Sequence, residues 1–164
     1  MVLRSNKGKG NVSNRDEWQT PKWLFDILNN QYGFILDCCA TSKNSKCTKY
    51  CPNFLESFLI WQGSKANSWM NPPFSKSKEM FKHFFKVIKK GVCIFRCDNI
   101  ETKLWQEIIF PNCSWVFIPK GRINYEGMNG NGSVFPSALI GYNVPPPEKL
   151  EGTILFTKSP SKSP

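Results

Sequence analysis

The most informative segment of the sequence for the fold is Asn67-Ser-Trp-Met-Asn-Pro-Pro-Phe74. Its first half, 67–70, is a short apolar run bounded by a turn signal, which is typical of a buried strand. The two prolines then fix two backbone φ angles and remove two N–H donors, so the strand must stop at Asn71. The stretch therefore places one polar side chain and two free backbone carbonyls at the end of a buried strand.

Predicted strands and helices alternate on both sides of this stretch. Apolar runs predict further strands at 34–37, 92–95, 115–118, 137–142 and 152–156, and helical periodicity predicts helices from residue 21, over 78–90 and over 102–110. This order predicts an α/β fold, Rossmann-like, with a mixed, mostly parallel central sheet. Asp37 also falls at a strand end, where open sheets of this class bind their ligands.

The first helix carries a start signal. Thr20 is a candidate N-cap, and Pro21 would then occupy the first helical position. The spacing predicts one apolar helix face, formed by Trp23, Leu24, Ile27 and Leu28.

Composition limits the class of protein. The chain has 164 residues, of which 40% are hydrophobic, enough for one real core. No apolar run approaches the roughly 18 residues of a membrane span, and the start has no apolar signal-peptide core. We therefore expect a protein that is not secreted and does not bind a membrane. Its location would be the cytoplasm, or the nucleoid or nucleus. The sequence does not specify an oligomeric state.

The net charge of +10 indicates a polyanionic partner, most simply nucleic acid; the alternative is a basic protein that its charge keeps soluble. Residues 1–15 are predicted to form a flexible arm, which is either a disordered terminus, a cationic contact to a phosphate backbone, or both. Residues 158–164 are predicted to be a second tail, leaving one domain at 16–157. The basic residues of the arm are Arg4, Lys7, Lys9 and Arg15.

The seven cysteines favour reduced thiols over a metal site. Cys38, Cys39, Cys47 and Cys51 cluster in sequence, but their spacing lacks the paired C-x2-C of common zinc sites.

The Asn71-Pro-Pro-Phe74 block suits chemistry on a planar amine. The amine of a nucleobase is a poor nucleophile because its lone pair is delocalised into the ring. The Asn71 side-chain oxygen and a backbone carbonyl can accept from its two N–H groups and return the lone pair to nitrogen, while Phe74 stacks on the ring. Asn-Pro is also an ordinary turn marker, so the block alone leaves a plain loop open.

Five ordered segments resemble the phage-type DNA N-6-adenine methyltransferase family, a Dam-like group of amino-methyltransferases. They extend from about residue 15 to 142 and comprise Asp16-Glu-Trp-Gln-Thr-Pro21, Leu36-Asp-Cys-Cys-Ala-Thr41 with Asn44 and Cys47, Leu59-Ile-Trp61, Asn71-Pro-Pro-Phe74, and Arg122-Ile-Asn-Tyr125 with Phe135-Pro-Ser-Ala138. The resemblance implies a single methyltransferase domain that transfers a methyl group from S-adenosylmethionine to adenine N6 in DNA. The segment 96–105 departs from the family pattern and leaves the roles of Asp98 and Thr102 open.

The resemblance also implies residue roles. Asn71, Pro72, Pro73 and Phe74 would hold the target adenine. The cofactor would be bound by Trp18, Thr20, Pro21, Asp37, Cys39, Ala40 and Asn71, and Arg122 would join the basic arm in contacting DNA.

Each of these assignments has a structural alternative. Asp37 and Thr20 could be caps, Trp18 could belong to the core, Arg122 could be a solvated charge, and 127–132 could be a plain connector. For function, the alternatives are another planar amine as acceptor (cytosine N4, RNA adenine or a glutamine amide), or an inactive basic DNA-binding module.

Overall fold

One mixed sheet runs through the part of the chain that the computed structural model describes, which comprises residues 15–56, 67–128, 133 and 135–158. Its seven described strands are β1 (Leu36–Asp37), β2 (Lys49–Tyr50), β3 (Ser68–Met70), β4 (Gly91–Arg96), β5 (Trp115–Pro119), β6 (Ser137–Tyr142) and β7 (Gly152–Thr157). The spatial order is β2-β1-β3-β4-β6-β5-β7. Pairing is parallel from β2 to β4 and antiparallel from β4 to β7. The predicted α/β class with a mixed sheet is confirmed.

Helices cover both faces of the sheet. They are α1 (Lys22–Tyr32), α2 (Ser77–Val87), a π-helix (Leu104–Ile109) that continues into the single turn α3 (Phe110–Asn112), and 3-10 turns at Phe54–Glu56 and Phe74–Lys76. Side chains alternate along β4, so that Val92 and Ile94 pack with α1 while Cys93 and Phe95 pack with α2 and the π-helix. The sheet is therefore buried on both faces, as expected for parallel strands.

The predicted start of α1 is wrong by one position. Pro21, rather than Thr20, is the N-cap residue, and it makes no side-chain capping bond. The Oε1 atom of Glu126 instead accepts from the Lys22 N–H at 2.9 Å. Trp23 was predicted to face the core but is 51% exposed, because the buried face is centred on Leu24, Phe25 and Leu28.

The other helix boundaries also shift. α2 ends at Val87 instead of residue 90, since Ile88 is already extended. Gly91 is the first residue of β4, where a Cβ atom would lie 2.5 Å from the Ser68 carbonyl oxygen. The strand β2 has no apolar pattern, and the sequence did not predict it.

Candidate active site

Asp37 and Asn71 lie at the same edge of the sheet. β1 and β3 are adjacent and parallel, with Asp37 paired in register with Trp69, so both strands end on the same side. A main cavity of about 310 Å³ and a side cavity of about 40 Å³ open at this edge. Both cavities are lined by Asp16, Cys39, Asn44 and Asn71. They are therefore two parts of one site, and the main part has the volume of a small ligand pocket.

Residues 71–75, which contain both prolines, form a loop that we call the proline loop. The segment 16–20 lies across this loop and holds it at two points. The Nδ2 atom of Asn71 donates to the Trp18 carbonyl oxygen at 3.1 Å. At the other end of the loop, the Ser75 N–H donates to Asp16 Oδ1 at 3.0 Å, and the Ser75 hydroxyl donates to Asp16 Oδ2. Because neither proline has an N–H to donate, these outside contacts set the position of the loop.

Two acceptors of the loop face no donor. With Asn71 Nδ2 bound to Trp18, the amide presents Oδ1 on its other branch. Within the described residues no donor contacts Asn71 Oδ1 or the Pro72 carbonyl oxygen, whereas the Pro73 carbonyl accepts from the Lys76 N–H at 3.2 Å. The loop can therefore accept two hydrogen bonds from a ligand without losing one of its own.

Phe74 lies in an aromatic cluster next to the cavities. Its ring is 5.4 Å from that of Phe135, 5.7 Å from that of Phe95 and 6.2 Å from that of Trp18. Trp18 also stacks on Tyr125, at 6.1 Å. Phe74 is only partly buried and is not among the residues that line the two cavities. It connects the proline loop to the antiparallel half of the sheet.

The Asp37 carboxylate is buried and organises the loop that follows it. Its Oδ1 accepts from the Cys39 N–H at 3.3 Å, and its Oδ2 accepts from the Lys46 N–H at 3.1 Å. Burial raises the pKa of Asp37 above its ordinary value, against the opposing effect of these two hydrogen bonds and the Lys46 charge. Asp37 thus lines the side cavity and also holds the backbone of the loop that follows β1.

Thr20 supplies an unpartnered polar atom. Its side chain is 1% exposed, it lines the side cavity, and no described residue forms a hydrogen bond with its Oγ1. A buried hydroxyl without a partner costs free energy, so a polar ligand group at this point would remove a penalty. This excludes the capping role for Thr20.

The remaining predicted pocket residues separate into two groups. Trp18 lines the side cavity, Ala40 lines the main cavity and Cys39 lines both. Pro21 is buried at the α1 N-cap and is not among the residues that line either cavity.

Several cavity residues had no predicted role. Asp16 and Asn44 stand inside the segments that resemble the family, which was the available signal. Asn44 Oδ1 accepts from the Thr41 N–H at 2.7 Å and thereby closes the turn beside the cavity. Phe54 and Glu56 reach the main cavity from the 3-10 turn after β2. No local pattern in the sequence indicated them.

Two of the predicted DNA-binding residues, Arg15 and Arg122, lie within the described residues. The guanidinium carbon of Arg15 is 5.9 Å from the centre of the Trp18 ring, and Arg122 is exposed and donates to the Ser133 carbonyl oxygen at 3.0 Å. Arg4, Lys7 and Lys9 lie outside the described residues, as do Leu59-Ile-Trp61 and 129–132.

The segment after β4 forms its own ion pair. Arg96 Nε donates to Asp98 Oδ1 at 2.7 Å, and this hydrogen bond lowers the pKa of Asp98. The Arg96 guanidinium carbon lies 4.7 Å from the centre of the Phe135 ring. The Thr102 hydroxyl donates to the Asn99 carbonyl oxygen at 2.8 Å, so both residues whose roles were open have a local structural partner.

Comparison with known proteins identifies the family. The family described as DNA N-6-adenine-methyltransferase (Dam) matches residues 7–136. The chain belongs to this family. Membership in the Dam family confirms the resemblance drawn from the five segments, and the mixed α/β sheet agrees with a methyltransferase fold.

Two curated relatives carry the name DNA N-6-adenine-methyltransferase. The one from Escherichia phage T1 is 33% identical over 63 residues, which cover 38% of this chain and 26% of that relative. The one from Haemophilus phage HP1 (strain HP1c1) is 36% identical over 78 residues, which cover 46% of this chain and 42% of the relative. The matched regions thus span about a quarter and two fifths of these relatives.

No helix in the described ranges has the length and apolar character needed to cross a bilayer. All seven cysteines are free thiols. Burial raises the pKa of Cys39 and Cys47 beside the site, to about 12 for Cys47, which keeps these thiols protonated at neutral pH.

Proposed function

We propose that this Dam-family chain methylates the N6 atom of adenine in DNA, with S-adenosylmethionine as the methyl donor. The observation that carries the proposal is the pair of unengaged acceptors on the proline loop, Asn71 Oδ1 and the Pro72 carbonyl oxygen. Asn71 lines the ligand-sized cavity, whereas Pro72, the next residue of the loop, is buried and lines neither cavity; the partly buried ring of Phe74 follows two residues later.

The donor set of the cavity fits S-adenosylmethionine. The unpartnered Thr20 hydroxyl suits a polar group of the cofactor, such as its carboxylate, and Asp37 suits its ammonium group or a ribose hydroxyl. Cys39 and Ala40 would pack against it, and Trp18 would close the side cavity. When bound, the cofactor supplies an electrophilic methyl group on a sulfonium sulfur.

The chain's own residues would activate the acceptor amine. Hydrogen bonds from the two N6–H groups to Asn71 Oδ1 and the Pro72 carbonyl favour a tetrahedral nitrogen with a localised lone pair. An amide oxygen and a backbone carbonyl are too weakly basic to remove the proton, so the proton that N6 loses would pass to water. The methyl–sulfur bond that breaks would leave the cofactor as a neutral thioether. Positioning and fixed dipoles therefore supply the rate enhancement.

A paired adenine cannot reach these acceptors inside a duplex. The base must leave the stack, which costs a few kcal/mol. Phe74 offers a ring for the extruded base, and cations along the backbone offset the cost. Arg4, Lys7, Lys9, Arg15 and Arg122 remain the proposed backbone contacts of the arm and the 121–128 connection.

The test is transfer of a labelled methyl group to unmethylated DNA, followed by nucleoside analysis of the product. We expect N6-methyladenine, with kcat reduced about 10²–10³-fold in Asn71→Ala because one acceptor is lost. Asn30→Ala, on the exposed side of α1, is the matched control and should retain activity. Label on cytosine, RNA or protein, or no transfer at all by the wild-type chain, would overturn the proposal.

A further inference from the structure

The segment 76–90 carries an unusual share of the positive charge. It contains six lysines and one glutamate, a net +5 out of the +10 of the whole chain. Fewer than a tenth of the residues thus carry half of the net charge, and they follow directly after the proline loop.

The lysines in α2 form one exposed face. Lys78, Lys82 and Lys86 recur every four residues, which aligns them along the helix, and all three are exposed. We call these three residues the lysine face. The opposite side of α2 is buried and consists of Met80, Phe81, Phe84 and Val87. Lys76, Lys89 and Lys90 extend the charge beyond both ends of the helix and are also exposed.

Two members of the lysine face, Lys78 and Lys82, have no acid partner among the described residues. By contrast, Lys22 and Lys120 each pair with an acid, Asp26 and Glu151 respectively. Lys78 and Lys82, four residues apart on the helix, repel one another, so an external anion would stabilise this part of α2.

The face also begins at the site. α2 starts three residues after Phe74, and Lys76 and Met80 line the main cavity. From Lys78 to Lys86 the helix rises about 12 Å. This length is comparable with that of a few consecutive phosphates on one strand of B-DNA.

We propose that the lysine face of α2 is a docking surface for the phosphate backbone of duplex DNA. The inference rests on the proposed function, which makes DNA the substrate. It adds a specific contact surface on the helix that follows the proline loop, separate from the N-terminal arm. The face holds the strand beside the cavity while the target base is extruded.

The test measures binding of a fluorescently labelled duplex to the full chain at several salt concentrations. In Lys78→Gln/Lys82→Gln we expect the slope of log K against log[salt] to decrease in magnitude by about 1.8, or 0.9 per lost phosphate contact. Glutamine retains helix propensity, so α2 should stay folded, and the Tm of each variant verifies this. The control Lys149→Gln/Lys158→Gln removes the same charge from exposed positions outside α2 and should retain the wild-type slope.

The proposed docking surface would be overturned if the slope of log K against log[salt] were unchanged in the α2 variant, or if it decreased equally in the control. The proposal would also be overturned if Lys78→Gln/Lys82→Gln lost binding to vesicles containing phosphatidylserine but bound the duplex as the wild type does. The two proposals fail separately. If the salt slope depends on the α2 lysines but the wild-type chain transfers no methyl group, the docking surface stands and the proposed function is wrong. If the chain methylates adenine but the slope does not depend on these lysines, the proposed function stands and the docking surface is wrong.

Discussion

At the residue scale, the site depends on how one amide is oriented. Asn71 uses its Nδ2 atom on the Trp18 carbonyl oxygen, 3.1 Å away, so Oδ1 can only be the acceptor. An aspartate at position 71 would set a carboxylate against that carbonyl and repel it. Asparagine thus meets two requirements, a donor for the Trp18 carbonyl and, in the proposed function, an acceptor for the ligand.

The substitution Thr20→Val distinguishes two effects of the buried hydroxyl, namely its effect on the stability of the free protein and its effect on cofactor binding. The free protein should gain about 1 kcal/mol, because an unsatisfied polar atom is removed. A ligand at 100 times its Kd stabilises the wild type by about 2.7 kcal/mol, a rise in Tm of about 5–10 °C. In Thr20→Val, S-adenosylmethionine at the same concentration should produce a smaller rise. Thermal melts with and without cofactor measure both effects, and an equal rise in both proteins would contradict the role of Thr20.

Asp37 makes stability depend on pH. Because burial raises its pKa, the native state binds this proton more tightly than the unfolded chain does. The stabilising contribution is present below the unfolded pKa of about 4 and is lost as the pH rises through the higher native pKa. Urea unfolding between pH 4 and 7 should show the wild type losing stability relative to Asp37→Asn as the pH increases. A constant difference would contradict the expectation.

At the element scale, the proline loop and the N-terminal segment 16–20 behave as one unit. Gln19 and Glu126 exchange backbone hydrogen bonds of 3.0 and 2.8 Å, which fasten the segment to the connection after β5. Two contacts thus hold the loop against the antiparallel half of the sheet, one through the segment that carries Trp18 and one through Phe74. A rigid loop suits catalysis by positioning.

Asp16 is predicted to be a positioning residue for this loop. Asp16→Ala removes both acceptors of Ser75, and we expect kcat to fall about 10-fold while the KM for DNA changes little. Asp16→Asn keeps one acceptor for the Ser75 N–H and should restore most of kcat. Asp26→Ala, which removes an exposed acid paired with Lys22, is the control. An equal loss in Asp16→Asn and Asp16→Ala would contradict the hydrogen-bond explanation.

At the scale of the whole molecule, one sheet contains both the parallel strands that carry the candidate site and the antiparallel strands, which pack tightly around Trp115. The Trp115 indole lies across Gly141 in β6 and donates to the Val144 carbonyl oxygen at 2.7 Å. A Cβ atom at position 141 would come within 1.9 Å of the indole ring, so only glycine fits. This contact closes the core on the face that carries α1 and Trp18.

Gly141→Ala should therefore destabilise the whole domain, by about 1–3 kcal/mol, through overpacking. We expect one cooperative unfolding transition at a lower Tm. Trp115→Phe removes the indole atoms nearest to the added methyl group, so the same substitution should cost less in that background. A double-mutant cycle by urea unfolding measures the coupling, and strict additivity would contradict the contact.

Local signals in the sequence predict where the strands end, and the ordered segments indicate the family. Apolar runs and proline stops are local signals, and parallel neighbouring strands end at one edge, so Asp37 and Asn71 could be expected to lie together. Five ordered segments were enough to indicate the Dam family, which the family match confirms.

Which groups surround the candidate site depends on contacts between distant parts of the chain. The Asp16–Ser75 contact joins residues 59 positions apart, and the Trp18–Asn71 contact joins residues 53 positions apart. Contacts this distant leave no periodicity in a sequence. The unpartnered Thr20 hydroxyl and the exposed Trp23 likewise follow from how α1 packs on the sheet. Local propensity sets where elements begin and end, whereas the burial of one side chain depends on residues far along the chain.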